Sequence, residues 1–175
     1  MNETIKNLIG RRSCRAYQEK QITDAELDTI LEVGTYAPTA MGRQSPLIVA
    51  IRDKETLRQV EKLNGAVMGQ PDGHPFYGAP TVVIVFGDTS VPFGVSDGNL
   101  VIGNILNAAN AVGIDSCYIW RAKETFESEE GKALKAKWGI PENYEGVGNV
   151  ILGYGKPKGK RNAPPRKPDY IKIIG

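Results

Sequence analysis

Residues 81–86 (TVVIVF) constrain the fold of this chain more than any other segment. All six are apolar or β-branched, without the polar alternation of a strand that has one face in water. A run of this kind is typical of a strand buried on both faces of its sheet. Predicted strands and helices alternate along the chain, with no repeat or linker between them. The sequence therefore predicts an α/β or α+β class built on one sheet.

Local signals place the other elements. Thr23 and Glu26 have the spacing of a capping box and begin a helix that Pro38 ends. A short helix is predicted to carry Ile5, Leu8 and Ile9 on one face and to end at Gly10. Two further helices are predicted from Asp53 to 64–65 and over 128–138, with strands at 47–51, 116–120 and 147–152 and a loop at 65–78. The segment YIKII (170–174) is predicted to be a last strand that pairs with its own sheet or with that of a neighbour.

The helix predicted from Asp97 to Gly113 is apolar on nearly every side and is interrupted mainly by asparagines. A helix of this composition is buried, either by its own domain or by a partner subunit. We therefore expect it to lie against the sheet or at an interface.

Size and charge limit the function classes. The 175 residues suffice for one domain, predicted to span 1–175, and are too few for two. A net charge of +2 from 22 basic and 20 acidic residues argues against nucleic acid or an anionic membrane as partner. No window resembles a membrane span or a signal peptide, so a soluble, cytoplasmic protein is expected.

The sequence contains no known nucleophile or nucleotide motif: GxSxG, GxxxxGK[ST], HExxH and a strand-linked GxGxxG are all absent. The only histidine, His74, lies in a Gly/Pro-rich segment and is interpreted as a surface residue. Cys14 and Cys117 are expected to be free thiols, with the pKa of Cys14 lowered by neighbouring arginines. No metal site is predicted. If the protein is an enzyme, a cofactor supplies the reactive group.

A basic cluster after the first helix indicates which cofactor. Arg11, Arg12 and Arg15 surround Ser13, and arginine binds phosphate through two parallel hydrogen bonds. A solvated basic turn explains the cluster equally well. The sequence alone leaves both interpretations open at this point.

Five blocks in order resemble the FMN-dependent nitroreductase family: RRSCRAY (11–17), APTAMGRQSP (37–46), GAPTVVIVFGD (78–88), GIDSCYIW (113–120) and VILGYGKP (150–157). The resemblance implies an α+β fold of the α/β-sandwich type, with a mostly antiparallel central sheet flanked by helices. It also implies an intertwined homodimer with FMN at the interface. NADH or NADPH would reduce the flavin, and a nitroaromatic, quinone or similar small molecule would then accept hydride in a ping-pong cycle.

The resemblance also assigns site residues. Those expected around the FMN phosphate, ribityl chain and ring edge are Arg11, Arg12, Ser13, Arg15 and Arg166. Those expected to reach the flavin from the other subunit are Pro38, Thr39, Ala40 and Gln44. Backbone N–H groups of Trp120 and Arg121 are expected at the N5 and O4 side of the ring. No catalytic side chain is implied, because the flavin N5 atom exchanges hydride.

This chain departs from the family pattern at Gly42, where the family has asparagine, and at Pro164, where some members have lysine. Segments 65–75 and 88–97 are too short for the helices that cover the site in larger relatives, so we expect an open pocket with loose acceptor selectivity. The acceptor and the choice between NADH and NADPH stay open. The alternatives are a non-catalytic flavin-binding protein, a specialised flavin reductase or dehalogenase-like member, and a basic nucleic-acid module.

Overall fold

A computed structural model describes residues 1–175 of the chain. Its sheet has four strands in the order β1-β2-β4-β3, and every neighbouring pair is antiparallel. The strands are β1 Leu47–Ile51, β2 Thr81–Asp88, β3 Asp115–Ile119 and β4 Tyr144–Gly153. The predicted α+β class with an antiparallel sheet flanked by helices is confirmed.

The helices are α1 Glu3–Gly10, α2 Asp24–Thr35, α3 Lys54–Val67, α4 Gly94–Ala111, α5 Ala122–Glu127 and α6 Glu129–Lys137, with a 3-10 turn at Ala40–Gly42. No helix is both long enough and apolar enough to cross a membrane.

Strand β2 lies at the centre of two hydrophobic cores, as its composition predicts. Val82, Ile84 and Phe86 pack on one face, in a cluster with residues of α3, α5 and α6. Val83 and Val85 pack on the other face, in a cluster with residues of α2 and α4. Successive side chains of a strand point to opposite faces, so a continuous apolar run builds a core on each side.

Several element boundaries differ from the predictions. Helix α3 continues past residues 64–65 to Val67. The segment 128–138 carries only the second of two helices, because α5 precedes it and Ser128 caps α6 by accepting the N–H of Gly131 at 3.1 Å. Helix α4 begins at Gly94, so Asp97 lies within its first turn and does not cap it. Strand β3 ends at Ile119, which leaves Trp120 just outside the sheet.

Two predicted burial patterns were only partly right. The YIKII segment forms no strand within the chain, and Tyr170, Ile171, Ile173 and Ile174 are exposed. Helix α4 buries Val101, Ile102 and Ile105 but leaves Leu100 about half exposed. The chain itself therefore leaves part of the apolar surface of α4 uncovered.

Helix α1 has an apolar stripe with no covering layer. Ile5, Leu8 and Ile9 lie at helical spacing, and no residue of the helix is buried. The helix is attached to the C-terminal half of α4 through Asn7, whose Nδ2 donates to Asn107 O at 2.9 Å and whose Oδ1 accepts from Asn110 Nδ2 at 2.6 Å. This attachment leaves the stripe facing outward.

We expect Thr23→Ala to lower the free energy of unfolding by about 1 kcal/mol, as is typical for the loss of a helix cap. The Thr23 hydroxyl accepts the N–H of Glu26 at 3.2 Å, and the Glu26 carboxylate accepts the Thr23 N–H at 2.8 Å. Urea unfolding measures the change. Thr29→Ala is the matched control, because it removes an exposed hydroxyl from the same helix without touching the cap; equal losses in both variants would contradict the prediction.

The same cap should be sensitive to acid. Hydrogen bonds from the Thr23 N–H, and then from the hydroxyls of Thr23 and Tyr154, hold the pKa of Glu26 below its ordinary value of 4.5. A group whose pKa is depressed on folding contributes stability above its unfolded pKa and loses it as the pH falls through the folded value. The difference between wild type and Thr23→Ala should therefore be full above about pH 4.5 and shrink below it.

Candidate functional site

The basic segment after α1 is held between the sheet and the C-terminal tail. The N–H of Cys14 donates to Ser116 O in β3, and the N–H of Arg15 donates to Gly159 O in the tail, both at 2.9 Å. Residues 13 and 14 form isolated bridges with Ser116 and Lys160. The arginines on either side of this segment are therefore brought next to the tail that contains Arg166.

A close approach at Gly159 fixes the position of the tail. A Cβ atom at this position would lie 2.8 Å from the Sγ of Cys14 and 2.9 Å from Ala16 O, so a larger residue would push the tail outward. An ion pair between Lys160 and Asp115 fastens the next residue to β3. Cys14 itself is buried, and burial raises the pKa of its thiol, which corrects the expected lowering by nearby arginines.

A cavity of about 1000 Å³ opens between α1, the basic segment and the tail. Of its lining residues, those predicted from the sequence are Arg11, Arg12, Ser13, Arg15 and Arg166. Arg161 also lines it and was outside the predicted set, although the basic run that precedes it in sequence is a signal for it. We call this cavity, with its five arginines, the arginine cradle.

The charge of the arginine cradle is uncompensated. No carboxylate lines it, and none of its five arginines takes part in an ion pair. The Nη1 atom of Arg11 is buried without a hydrogen-bond partner, which is costly unless an acceptor binds there. The cradle therefore has the charge and the donors of an anion site, and a phosphate group fits both.

The guanidinium of Arg12 donates hydrogen bonds to backbone carbonyls of its own chain. Its Nη1 atom donates to Ile9 O and Arg11 O, each at 2.6 Å, and so satisfies carbonyls near the end of α1. The backbone N–H groups of Arg12 and Ser13 have no protein acceptor. Arg12 is thus suited to contribute its backbone to the cradle while its side chain holds the helix end.

A second cavity, of about 390 Å³, shares Arg15 with the cradle. Trp120 and Arg121 line it where the chain leaves β3, and neither of their backbone N–H groups has a protein acceptor. His74 also lines this cavity, with its Nδ1 3.8 Å from the Glu61 carboxylate. Its side chain is exposed, as predicted, but no signal in the sequence predicts its position beside Trp120.

The segment with Pro38, Thr39, Ala40 and Gln44 is anchored to the start of α4. The N–H of Ala40 donates to both carboxylate oxygens of Asp97, at 3.1 and 3.2 Å, and the N–H of Gln44 donates to the Thr39 hydroxyl at 3.0 Å. Asp97 is only 3% exposed. The residue expected to open a helix therefore holds a neighbouring loop.

Gly42 has a φ of +64°, in the left-handed region that glycine adopts freely and asparagine more readily than other residues. Met41 and Gln44 on either side also have positive φ. This backbone explains why glycine can stand where the family pattern has asparagine: both residues accept the turn, and only the side-chain amide is lost.

Within a single chain, the predicted site residues do not all lie together. None of Pro38, Thr39, Ala40 and Gln44 lines either cavity. The loop that holds them meets α4 at Asp97, whereas α1 meets it at Asn107 and Asn110. Ten residues of helix separate Asp97 from Asn107, or about 15 Å along the axis.

The chain is similar to known nitroreductases in both sequence and structure. The model of the nitroreductase family matches residues 8–76. A protein of Archaeoglobus fulgidus, provisionally named NADH dehydrogenase/NAD(P)H nitroreductase, is 32% identical over 161 residues that cover 89% of this chain and 87% of the relative. The solved structure of a nitroreductase with bound FMN from Bacteroides fragilis is 29% identical, with complete coverage of both chains and a TM-score of 0.92. Another, from Desulfitobacterium hafniense, also with bound FMN, is 26% identical with complete coverage and a TM-score of 0.87.

Proposed function

Because this chain belongs to the nitroreductase family, we propose that it is an FMN-dependent oxidoreductase that transfers hydride from NADH or NADPH to a small-molecule acceptor. The observation that carries the proposal is the arginine cradle, with five arginines that form no ion pair and a buried Arg11 Nη1 that lacks an acceptor. Similar chains of nearly the same length hold FMN in their solved structures.

The residues of the cradle fit the phosphate end of FMN. Arg11 supplies a guanidinium donor, Ser13 supplies a hydroxyl, and the N–H groups of Arg12 and Ser13 are free to donate. Arg166 adds its positive charge, while its Nε and Nη2 atoms donate to Pro164 O at 3.3 and 2.6 Å. Arginine pairs with phosphate through two parallel hydrogen bonds, which fix orientation as well as charge. In this proposal the cradle fixes the position of the whole cofactor.

Arg15 connects the cradle to the second cavity, so its cation reaches from the phosphate end towards the ring. A positive charge near the ring favours the reduced flavin, which is more negative than the oxidised one. The N–H groups of Trp120 and Arg121 are proposed to face the N5 and O4 edge. FMN, when bound, supplies N5 as the atom that takes up and releases hydride, and the protein contributes binding and orientation.

We propose a homodimer in which a second copy completes the site. Pro38, Thr39, Ala40 and Gln44 would then approach the flavin held by the partner's cradle, which accounts for their distance from the cradle of their own chain. The uncovered apolar stripe of α1, together with exposed Tyr36 and Leu100, supports a partner surface of this kind. The exposed YIKII segment is proposed to pair with the partner subunit.

The second cavity is the proposed place for the nicotinamide and then for the acceptor. Trp120, Tyr118 and Tyr77 give it aromatic walls suited to planar nitroaromatics or quinones. Binding of the nicotinamide and then of the acceptor in the same cavity corresponds to a ping-pong cycle. The expectation of an open pocket with loose selectivity is carried forward as part of this proposal.

A visible absorption spectrum of the purified protein, loaded with FMN and kept free of oxygen, tests the function. We expect the flavin bands to bleach when NADH or NADPH is added and to return with a quinone or nitroaromatic. A bound flavin that neither donor bleaches would favour a non-catalytic flavin-binding protein. Failure to bind added FMN would overturn the proposal.

A further inference from the structure

Three successive backbone carbonyls at the end of β3 are each held by a buried polar side chain. The hydrogen bonds run from Asn149 Nδ2 to Ile119 O at 3.2 Å, from Asn64 Nδ2 to Trp120 O at 2.8 Å, and from Thr125 Oγ1 to Arg121 O at 2.6 Å. Asn64 Nδ2 also contacts Thr125 Oγ1 at 3.3 Å, which links two of the three donors. All three side chains are fully buried.

This arrangement determines where the neighbouring N–H groups point. In a trans peptide the C=O and the N–H point in opposite directions. Asn64 holds the Trp120 carbonyl towards the core, so the N–H of Arg121 in the same peptide points away from the core. Asn149 does the same for the peptide that joins Ile119 to Trp120. Neither of these N–H groups, of Trp120 and Arg121, finds an acceptor in the protein.

The backbone at this point adopts a conformation that needs support. Arg121 has φ 74° and ψ 19°, in the left-handed region that non-glycine residues rarely occupy. Such a conformation persists where surrounding contacts fix it, and it is common at functional sites. Here Thr125 donates to Arg121 O twice, through its hydroxyl at 2.6 Å and its N–H at 3.0 Å.

The polar side chains carry a cost that packing alone does not explain. The Oδ1 atoms of Asn64 and Asn149 are buried without a hydrogen-bond partner. The amides cannot turn round to relieve this, because a backbone carbonyl only accepts and so requires the Nδ2 side. Buried groups left unsatisfied in this way call for a compensating role.

We propose that Asn64 is a positioning residue for the flavin ring, acting with Thr125 through the backbone of residues 120–121. By holding Trp120 O, Asn64 aims the Arg121 N–H at the ring edge where hydride is exchanged. This inference rests on the proposed function and deepens it. Asn64 lies on α3, outside both cavities, and donates its hydrogen bond from the core side.

The test compares Asn64→Leu with wild type and with Leu57→Ala. Leucine has the same branched heavy-atom skeleton as asparagine but no donor for Trp120 O. Leu57→Ala removes a buried side chain two turns earlier on the same helix, so it reports a loss of packing without loss of this hydrogen bond. For each protein, the midpoint potential and visible spectrum of bound FMN, its dissociation constant, and the rate constant for its reduction by the preferred nicotinamide are measured.

We expect Asn64→Leu to keep FMN affinity close to that of wild type, because the arginine cradle is intact. Its rate constant for FMN reduction should fall about tenfold or more, as is found when a donor aimed at a reacting centre is lost. The KM for the nicotinamide should change little. The midpoint potential should shift, because hydrogen bonds at the ring edge differ between oxidised and reduced flavin. Leu57→Ala should reproduce wild type in potential and rate constant.

Thr125→Val provides a second variant should Asn64→Leu not fold. It is isosteric, it keeps the backbone bond from Thr125 N to Arg121 O, and it should change the same two quantities in the same direction by a smaller factor. Folded variants that match wild type in potential and rate constant would overturn the inference and leave the proposed function intact. A wild-type protein that takes up no FMN would overturn the proposed function and, with it, this inference.

Discussion

Replacing Arg11 with glutamine is expected to raise the dissociation constant for FMN by about 10- to 100-fold, since a hydrogen bond to a charged group contributes about 1.5–3 kcal/mol. Arg11 has a buried Nη1 atom with no protein acceptor, and it lines a cavity that contains no carboxylate. Glutamine keeps a polar side chain but loses both the charge and the paired donors. Titration of the apoprotein with FMN, followed by the change in flavin fluorescence, measures the effect.

Arg58→Gln is the matched control for this experiment. Arg58 is an exposed arginine on α3, outside the cradle, and its replacement changes the net charge by the same amount. A general electrostatic attraction for phosphate would weaken binding equally in both variants, and salt would screen it. Equal dissociation constants for the two variants would mean that Arg11 is not a specific phosphate ligand.

Asp97→Ala is expected to lower the free energy of unfolding by about 1–3 kcal/mol, the cost of leaving a sequestered donor without its acceptor. Both carboxylate oxygens accept from Ala40 N, and no other hydrogen bond fixes that N–H. Release of this loop should also weaken FMN binding in the dimer, because Thr39 and Ala40 are proposed to contact the partner's flavin. Urea unfolding and FMN titration measure the two effects separately.

Asp97→Asn separates the hydrogen bond from the charge. Its side-chain oxygen can still accept from Ala40 N, so most of the stability and affinity should be retained. If asparagine is as damaging as alanine, the contribution of Asp97 comes from its charge and not from this contact. If alanine leaves FMN affinity unchanged, the loop at 38–44 has no part in the flavin site.

Most of the fold follows from signals that are local in sequence. The run at 81–86 predicts a strand covered on both faces, and alternate residues of β2 do enter two separate cores. The capping box at Thr23 and Glu26 places the start of α2 correctly. In both cases the contacts that decide the structure lie within a few residues, or follow from the period of side-chain direction.

The differences arise where tertiary contacts override local pattern. Helix α5 has six residues, too few for a helical period to be recognised. Helix α4 begins with Gly94, without a side-chain cap, and a Cβ there would lie 1.9 Å from Asp88 O. Only the packing of this turn against the end of β2 requires glycine, and the sequence alone does not show that packing.

The residues of the candidate site also differ in whether the sequence alone predicts them. The arginines at 11, 12 and 15 form a dense cluster that the sequence displays directly, Arg166 is predicted from the family resemblance, and the structure adds Arg161 to them. Asn64 and Thr125 have no comparable signal, because a single asparagine or threonine within a helix is common in any protein. Their importance comes from meeting the same backbone turn across 61 residues of sequence.

The arginine cradle joins side chains that the ribosome adds at very different times. Arg11 and Arg15 are made early, whereas Arg161 and Arg166 come after every strand of the sheet. A nascent chain can therefore fold much of its core before the arginine cradle, the proposed phosphate site, is complete. In the proposed site, uptake of the cofactor would then be a late event in biogenesis. The bound phosphate would join the N-terminal and C-terminal segments, and closure of so long a loop is among the most costly in the chain. If Arg161 and Arg166 hold the FMN phosphate as proposed, we expect premature termination near residue 160 to give a protein with an intact sheet and weakened flavin binding.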